Sequence, residues 1–162
     1  MVRNLTLFFA GTFVLTTTFD LWTTWVGVHQ YGYTETNPLT DTSSIRAMAN
    51  PEIVTAFIGM AMVAAGARYS KTLRPLPDEK FTSYYKRFLS INLFDLVVLF
   101  PILLAVVRVV PVLSNTSLIL FDFGLFGVDT PWVDLVVMIV FFMIFTRPTT
   151  YFIYLICRAS KP

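Results

Sequence analysis

Asp20 is the side chain in this sequence most suited to chemistry, because it is a carboxylate inside a strongly apolar stretch. It follows the apolar segment Leu5-Thr-Leu-Phe-Phe-Ala-Gly-Thr-Phe-Val14 and is itself followed by Leu21-Trp22 and Trp25-Val26. A carboxylate at the centre of a membrane-spanning helix costs about 2.5 to 3.5 kcal/mol on the insertion scale. Asp20 therefore requires a hydrogen-bonding partner, a proton or a bound cation.

Polar residues continue from Asp20 along one face of the same predicted helix. Thr17 and Thr24 lie three residues before and four residues after Asp20, which places all three on one face. Farther along the chain, the Glu35 carboxylate can accept hydrogen bonds or bind a cation, and the Asn37 amide can donate and accept. This pattern predicts a ligand-binding site formed by Asp20, Thr24, Glu35 and Asn37. The alternative is that neutral Asp20 hydrogen-bonds neighbouring helices and that Asn37 is only a helix cap.

The same residues carry a family resemblance. Asp20-x-x-Thr23-Thr24 followed by Gly32-x-x-Glu35-x-Asn37-Pro38 resembles the signature of an uncharacterised family of small prokaryotic multi-helix membrane proteins. The resemblance covers 19 residues, from Asp20 to Pro38. It implies a polar site at Asp20, Thr24, Glu35 and Asn37. It implies no reaction, since the family has no agreed biochemical role.

Asp95, Arg108 and Asp134 are further charged residues inside the apolar segments. At about 1.5 Å of rise per residue, Asp95 lies near 10 Å from the inner interface, Asp20 near 22 Å and Arg108 near 30 Å. Asp134 is close to Arg108 in depth, so we predict a structural ion pair between these two residues. Asn92 and Asp95 form a second polar site, for which a hydrogen bond between helices is the expected role. The difference of about 12 Å excludes Asp20 and Asp95 as a catalytic pair.

Composition assigns the chain to the membrane class. It has 162 residues, of which 56% are hydrophobic and 14% are charged, and a mean hydropathy of +0.68. These values are far too apolar for an ordinary soluble domain. The single Cys157 excludes an intramolecular disulfide, and a single histidine excludes haem bound by two histidines. We expect no metal, no cofactor and no nucleic-acid partner.

Four apolar segments predict an all-α integral membrane protein that forms one domain over residues 1–162. The transmembrane helices are expected at about residues 5–28, 51–68, 88–110 and 132–157. Asn50-Pro51 is typical of a helix start, and Pro101 predicts a kink. Residues 114–130 are too apolar for a free loop and too short to span, so they are either a re-entrant or interfacial segment or a short buried connector.

The distribution of positive charge predicts the orientation. Ten of the twelve lysines and arginines lie at the two termini or between the second and third segments, and only Arg46 and Arg108 lie on the other side. Cytoplasmic loops carry the excess of positive charge. Both termini are therefore expected in the cytoplasm of a multi-pass protein in the cell membrane.

Three functions are consistent with the sequence. The first is an accessory subunit or partner-binding module with an outward-facing polar pocket, which would contact membrane lipids, other membrane subunits or a second copy of itself. The second is binding and transport of a cation, a proton or a small solute through Asp20 and Glu35. The third is a lipid-modifying enzyme that uses one of these carboxylates as acid or base. The absence of HExxH, Walker A and GxGxxG motifs favours a protein without catalytic activity.

Overall fold

A computed structural model describes residues 1–34, 41–90, 92–123 and 131–160, with the side chains of residues 131–135 and of Met138 outside the description. Over these residues the chain is helical and contains no strand. The helices are α1 (Val2–Tyr31), α2 (Ile45–Tyr69), α3 (Phe81–Leu89), α4 (Leu93–Val107), α5 (Val109–Phe121) and α6 (Pro131–Ala159).

Four helical segments are long and apolar enough to cross a membrane. They are Val2–Tyr31, Ile45–Tyr69, Leu93–Phe121 and Ile139–Ala159, and the third, which joins α4 and α5, has the highest mean hydropathy at 2.8. A helix needs about 20 apolar residues to span a bilayer. The prediction of an all-helical protein with four segments of membrane-spanning character is therefore confirmed.

The core forms where α2 packs closely against α1 and α4. A Cβ atom added to Gly59 would lie 2.3 Å from Cζ of Phe9, and one added to Gly66 would lie 2.7 Å from a side-chain methyl of Val98. Phe9 and Val98 are themselves buried. Small residues let helix backbones approach closely, so these two glycines set the spacing between the three helices.

The start of α2 differs from the predicted start at Pro51. The helix begins at Ile45, and Oγ of its N-cap Ser44 accepts a hydrogen bond from the backbone N–H of Ala47 at 3.1 Å. Pro51 lies inside the helix. The predicted cap at Asn50 is therefore wrong, because the side chain of Ser44, six residues earlier, already binds a free backbone N–H at the start of the helix.

The third apolar segment also differs from its prediction. The residues before it form the separate short helix α3, and the break inside it falls at Arg108, whereas Pro101 lies within α4. Pro111 has no N–H to donate to Val107, four residues earlier, which accounts for a break at this point. Residues 114–121 continue α5, and residues 124–130 lie outside the described part of the chain, so the two interpretations of residues 114–130 stay predictions.

The first and last residues of the described chain meet at one end of the bundle, which we call the basic end. Nδ2 of Asn4 donates to Oγ of Ser160 at 3.2 Å. The loop between α2 and α3 lies at the same end, because Tyr154 of α6 donates its hydroxyl to the backbone carbonyl of Glu79 at 2.7 Å. We call the opposite end, where α1 ends and α2 begins, the far end.

Candidate functional site

Asp20 and Thr24 both lie on α1, and Thr24 faces α5. Thr24 Oγ1 accepts a hydrogen bond from Nδ2 of Asn115 at 3.1 Å, and Thr23 Oγ1 lies 3.4 Å from the same nitrogen. Asp20 is half-buried one helical turn before Thr24. Thr24 thus belongs to a polar contact between α1 and α5, and Asp20 lies next to it on the same helix.

Arg108 contributes the positive charge of this region. Its Nη1 donates to Oγ1 of Thr17 at 2.9 Å, and its guanidinium carbon lies 4.9 Å from the centre of the Phe13 ring. Arg108 is the residue between α4 and α5, so its side chain reaches α1 from the break between these two helices. We call the region formed by Thr17, Thr23, Thr24, Arg108 and Asn115 the α1–α5 seam.

The structure pairs Arg108 with Glu52. Nη2 of Arg108 lies 2.6 Å from Oε2 of Glu52, which is in the second turn of α2. The predicted partner, Asp134, has a side chain outside the described part of α6, so the pairing of Arg108 with Asp134 stays a prediction. Glu52 lies near the far end, at a depth similar to that expected for Asp134, and only the packing of α2 reveals it as a neighbour.

The other two predicted site residues, Glu35 and Asn37, lie outside the described residues. The chain immediately before them is held against α5, because the Tyr33 hydroxyl donates to the backbone carbonyl of Leu118 at 3.1 Å. Burial and the nearby Asp122 carboxylate raise the pKa of the Tyr33 phenol. Tyr33 therefore holds the last described residues before Glu35 against α5.

The predicted second polar site is built differently from its expectation. Asn92 is the N-cap of α4, and its Oδ1 accepts from the backbone N–H of Phe94 at 3.0 Å. The buried carboxylate of Asp95 accepts hydrogen bonds from the hydroxyls of Ser70 and Thr72, in the loop after α2. Asp95 thus anchors a loop to a helix, whereas a contact between two helices was expected.

A second ionic contact orders the same loop. Nε and Nη2 of Arg87 donate to the two carboxylate oxygens of Glu79 at 3.0 and 2.8 Å, and Nη1 donates to the backbone carbonyl of Thr72 at 2.6 Å. Hydrogen bonding to Arg87 lowers the pKa of Glu79, and the same contact raises the pKa of Arg87. Tyr84, one turn earlier on α3, donates its hydroxyl to the carbonyl of Leu73, and burial raises its pKa.

Sequence reasoning missed Glu52, Asn115, Ser70, Thr72 and the Glu79–Arg87 pair. Several of these residues contact a residue that the sequence did single out, such as Arg108 or Asp95. The contacts join segments that are distant in sequence, so they depend on how the helices pack. Among the described residues, no three His, Cys, Asp or Glu side chains lie close enough together to hold a metal ion.

Comparisons of the chain with protein-family models, with curated proteins and with solved structures found no significant match.

Proposed function

We propose that this protein is a non-catalytic accessory subunit that binds a transmembrane helix of another membrane protein. The observation that carries the proposal is an exposed apolar face of α2, on a bundle that polar side chains hold together from inside. Arg108 contacts Glu52 and Thr17, Asn115 donates to Thr24, and the hydroxyl of Thr16 donates to the backbone carbonyl of Ala105 at 3.1 Å. These contacts join one helix to another, as polar residues do in stable membrane bundles.

The outer face of α2 is the proposed contact surface for the partner. It carries Val54, Phe57 and Ile58, each more than half exposed, followed by the exposed residues Ala61 and Ala65. The two alanines lie one turn apart on the exposed side of α2, whereas Gly59 and Gly66 are buried. Small residues spaced by four positions allow a second membrane helix to approach closely. α2 thus has one small-residue face toward its own bundle and another toward its surroundings.

Charge supports the proposed orientation in the membrane. Arg68, Lys71, Arg74 and Lys86 lie at the basic end, and each is exposed. An excess of lysine and arginine is typical of the cytoplasmic side. The proposal therefore places the basic end in the cytoplasm and exposes α2 to the bilayer along its length.

The proposal is tested by purification in mild detergent from the native membrane. We expect the wild-type protein to elute with a stoichiometric membrane-protein partner. Ala61→Leu and Ala65→Leu should each release that partner, because a larger side chain prevents close approach of the helices. Val14→Leu places the same side chain on the exposed face of α1 and should leave the complex intact. A monomeric wild-type protein, or a complex of two copies only, would overturn the proposal.

A second candidate function is the binding and transport of a cation or a proton, which the α1–α5 seam favours. Asp20 lies between Thr17 and Thr24, and these residues bond to Arg108 and Asn115 respectively. A polar line inside a membrane bundle is typical of an ion pathway. Reconstituted liposomes should then show proton or potassium flux that is lost in Asp20→Asn and kept in Asp78→Asn, a matched change at an exposed loop carboxylate. Flux equal to that of empty liposomes would exclude this candidate.

A further inference from the structure

A cleft at the basic end contains three arginines that the contacts described so far do not use. Its volume is about 480 Å³, and its wall includes Arg3 of α1, Arg68 near the end of α2, and Ser70 and Arg74 of the following loop. Small-molecule sites usually occupy about 300 to 1,000 Å³. The cleft is therefore large enough for a small polar group with part of an attached chain.

The three guanidinium groups are available for an anion. Arg3, Arg68 and Arg74 are exposed, and within the described residues none of them forms an ion pair with a carboxylate. The hydrogen bond between Arg74 and Arg87 involves the backbone carbonyl of Arg74, which accepts from Nη2 of Arg87 at 3.1 Å, and not the Arg74 guanidinium. Guanidinium groups suit phosphate because they donate two parallel hydrogen bonds to its oxygens.

Two carboxylates at the basic end, Asp95 and Glu79, are already committed to other partners. Asp95 is 1% exposed and accepts hydrogen bonds from Ser70 and Thr72, so it lies beneath the wall that Ser70 forms. Glu79 is held by Arg87 on α3. The described lining residues of the cleft include no carboxylate, so the side-chain charge that it presents is that of Arg3, Arg68 and Arg74.

The position of the cleft also favours a phosphate group. Arg68 occupies the last turn of α2, and Arg3 lies in the first turn of α1, so both are at the edge of segments with membrane-spanning character. Clusters of basic residues at this level bind the head groups of anionic lipids. We propose that the cleft binds the phosphate group of an anionic phospholipid or of a soluble phosphate compound.

Native mass spectrometry of delipidated full-length protein tests the site. We expect one phosphatidylglycerol molecule to bind at least ten-fold more tightly than phosphatidylcholine. The double variant Arg68→Gln/Arg74→Gln should lose that preference while its thermal midpoint stays unchanged, since both side chains are exposed. Lys71→Gln removes a charge from the same loop outside the cleft and should change the affinity less than two-fold.

Inorganic phosphate distinguishes the two sources of the ligand. If millimolar phosphate displaces phosphatidylglycerol from the wild-type protein, the cleft recognises the phosphate group alone. If phosphate has no effect while the arginine variant still loses the lipid, the cleft recognises a lipid head group with its chains. The proposal would be overturned if Lys71→Gln and the double variant lost equal affinity for phosphatidylglycerol, or if the double variant bound this lipid like the wild type.

Discussion

The ion pair between Arg108 and Glu52 gives the sharpest quantitative prediction. Glu52→Gln keeps the shape of the side chain but removes the charge that lies 2.6 Å from Nη2 of Arg108. The guanidinium then retains the Thr17 hydroxyl and the Phe13 ring. Removing one member of a buried pair costs about 3 to 5 kcal/mol, and partial exposure reduces this cost. Since the two side chains are 24% and 22% exposed, we expect a loss of about 2 to 3 kcal/mol in the free energy of unfolding.

A double-mutant cycle measures this interaction directly. The free energy of unfolding is obtained in mixed micelles by titrating SDS and following helix content by circular dichroism. Glu52→Gln, Arg108→Gln and their combination should give a coupling energy of about 1 to 3 kcal/mol. Arg46→Gln neutralises an exposed cation in the first turn of α2 and should change the stability by less than about 0.5 kcal/mol.

A parallel cycle with Asp134→Asn separates the two possible partners of Arg108. Because Glu52 occupies Nη2, we expect the coupling between Asp134 and Arg108 to be smaller than that between Glu52 and Arg108. A larger coupling with Asp134, or no coupling with Glu52, would refute the assignment.

Three further predictions concern the remaining structural contacts. The hydrogen bond to Arg87 lowers the pKa of Glu79 below the ordinary value of 4.5, so ionised Glu79 stabilises the fold above pH 4.5 and this stabilisation is lost as the pH falls through the lowered pKa. Glu79→Gln should therefore flatten the acid side of the thermal-stability profile. Gly66→Ala should lower the melting temperature, because its Cβ meets a methyl of α4 at 2.7 Å, whereas Gly11→Ala meets nothing within 4 Å and should be neutral or stabilising. Ser44→Ala removes the α2 cap and should cost about 1 kcal/mol in a denaturant titration.

Each of these predictions has a result that contradicts it. An acid profile unchanged in Glu79→Gln would mean that its contact with Arg87 contributes no stability. Equal melting temperatures for the two glycine variants would contradict close packing of α2 on α4. A stability of Ser44→Ala equal to that of the wild type would place the effective helix start elsewhere.

Hydropathy alone predicted the helical class and the four long apolar segments, because a continuous apolar run is a local property of the sequence. The ends of the helices depended on competition between signals. Asn50-Pro51 has the residue types of a helix start, but the Ser44 hydroxyl caps the helix earlier and the turn containing Pro51 is retained. Pro101 and Pro111 have the same local chemistry, and the break occurs near the second.

Among the described residues, the contacts of the candidate site were predictable only where the residues share one helix. Asp20 and Thr24 could be placed on one face of α1 from their spacing. Asn115 and Glu52 could not be assigned to the same region, because depth along a helix does not say which helices are neighbours. Likewise, Asp95 was paired by proximity in sequence, whereas its hydroxyl partners come from a loop more than twenty residues away.

Photo-crosslinking in native membranes tests the proposed accessory role most directly. A photoreactive amino acid in place of Ala61 should give one protein adduct of defined mass, which an added Ala65→Leu change abolishes. The same group in place of the exposed Val14 on α1 should react with lipid alone. Protein adducts of equal yield at both positions, no protein adduct at position 61, or an adduct with the mass of two copies would contradict the account.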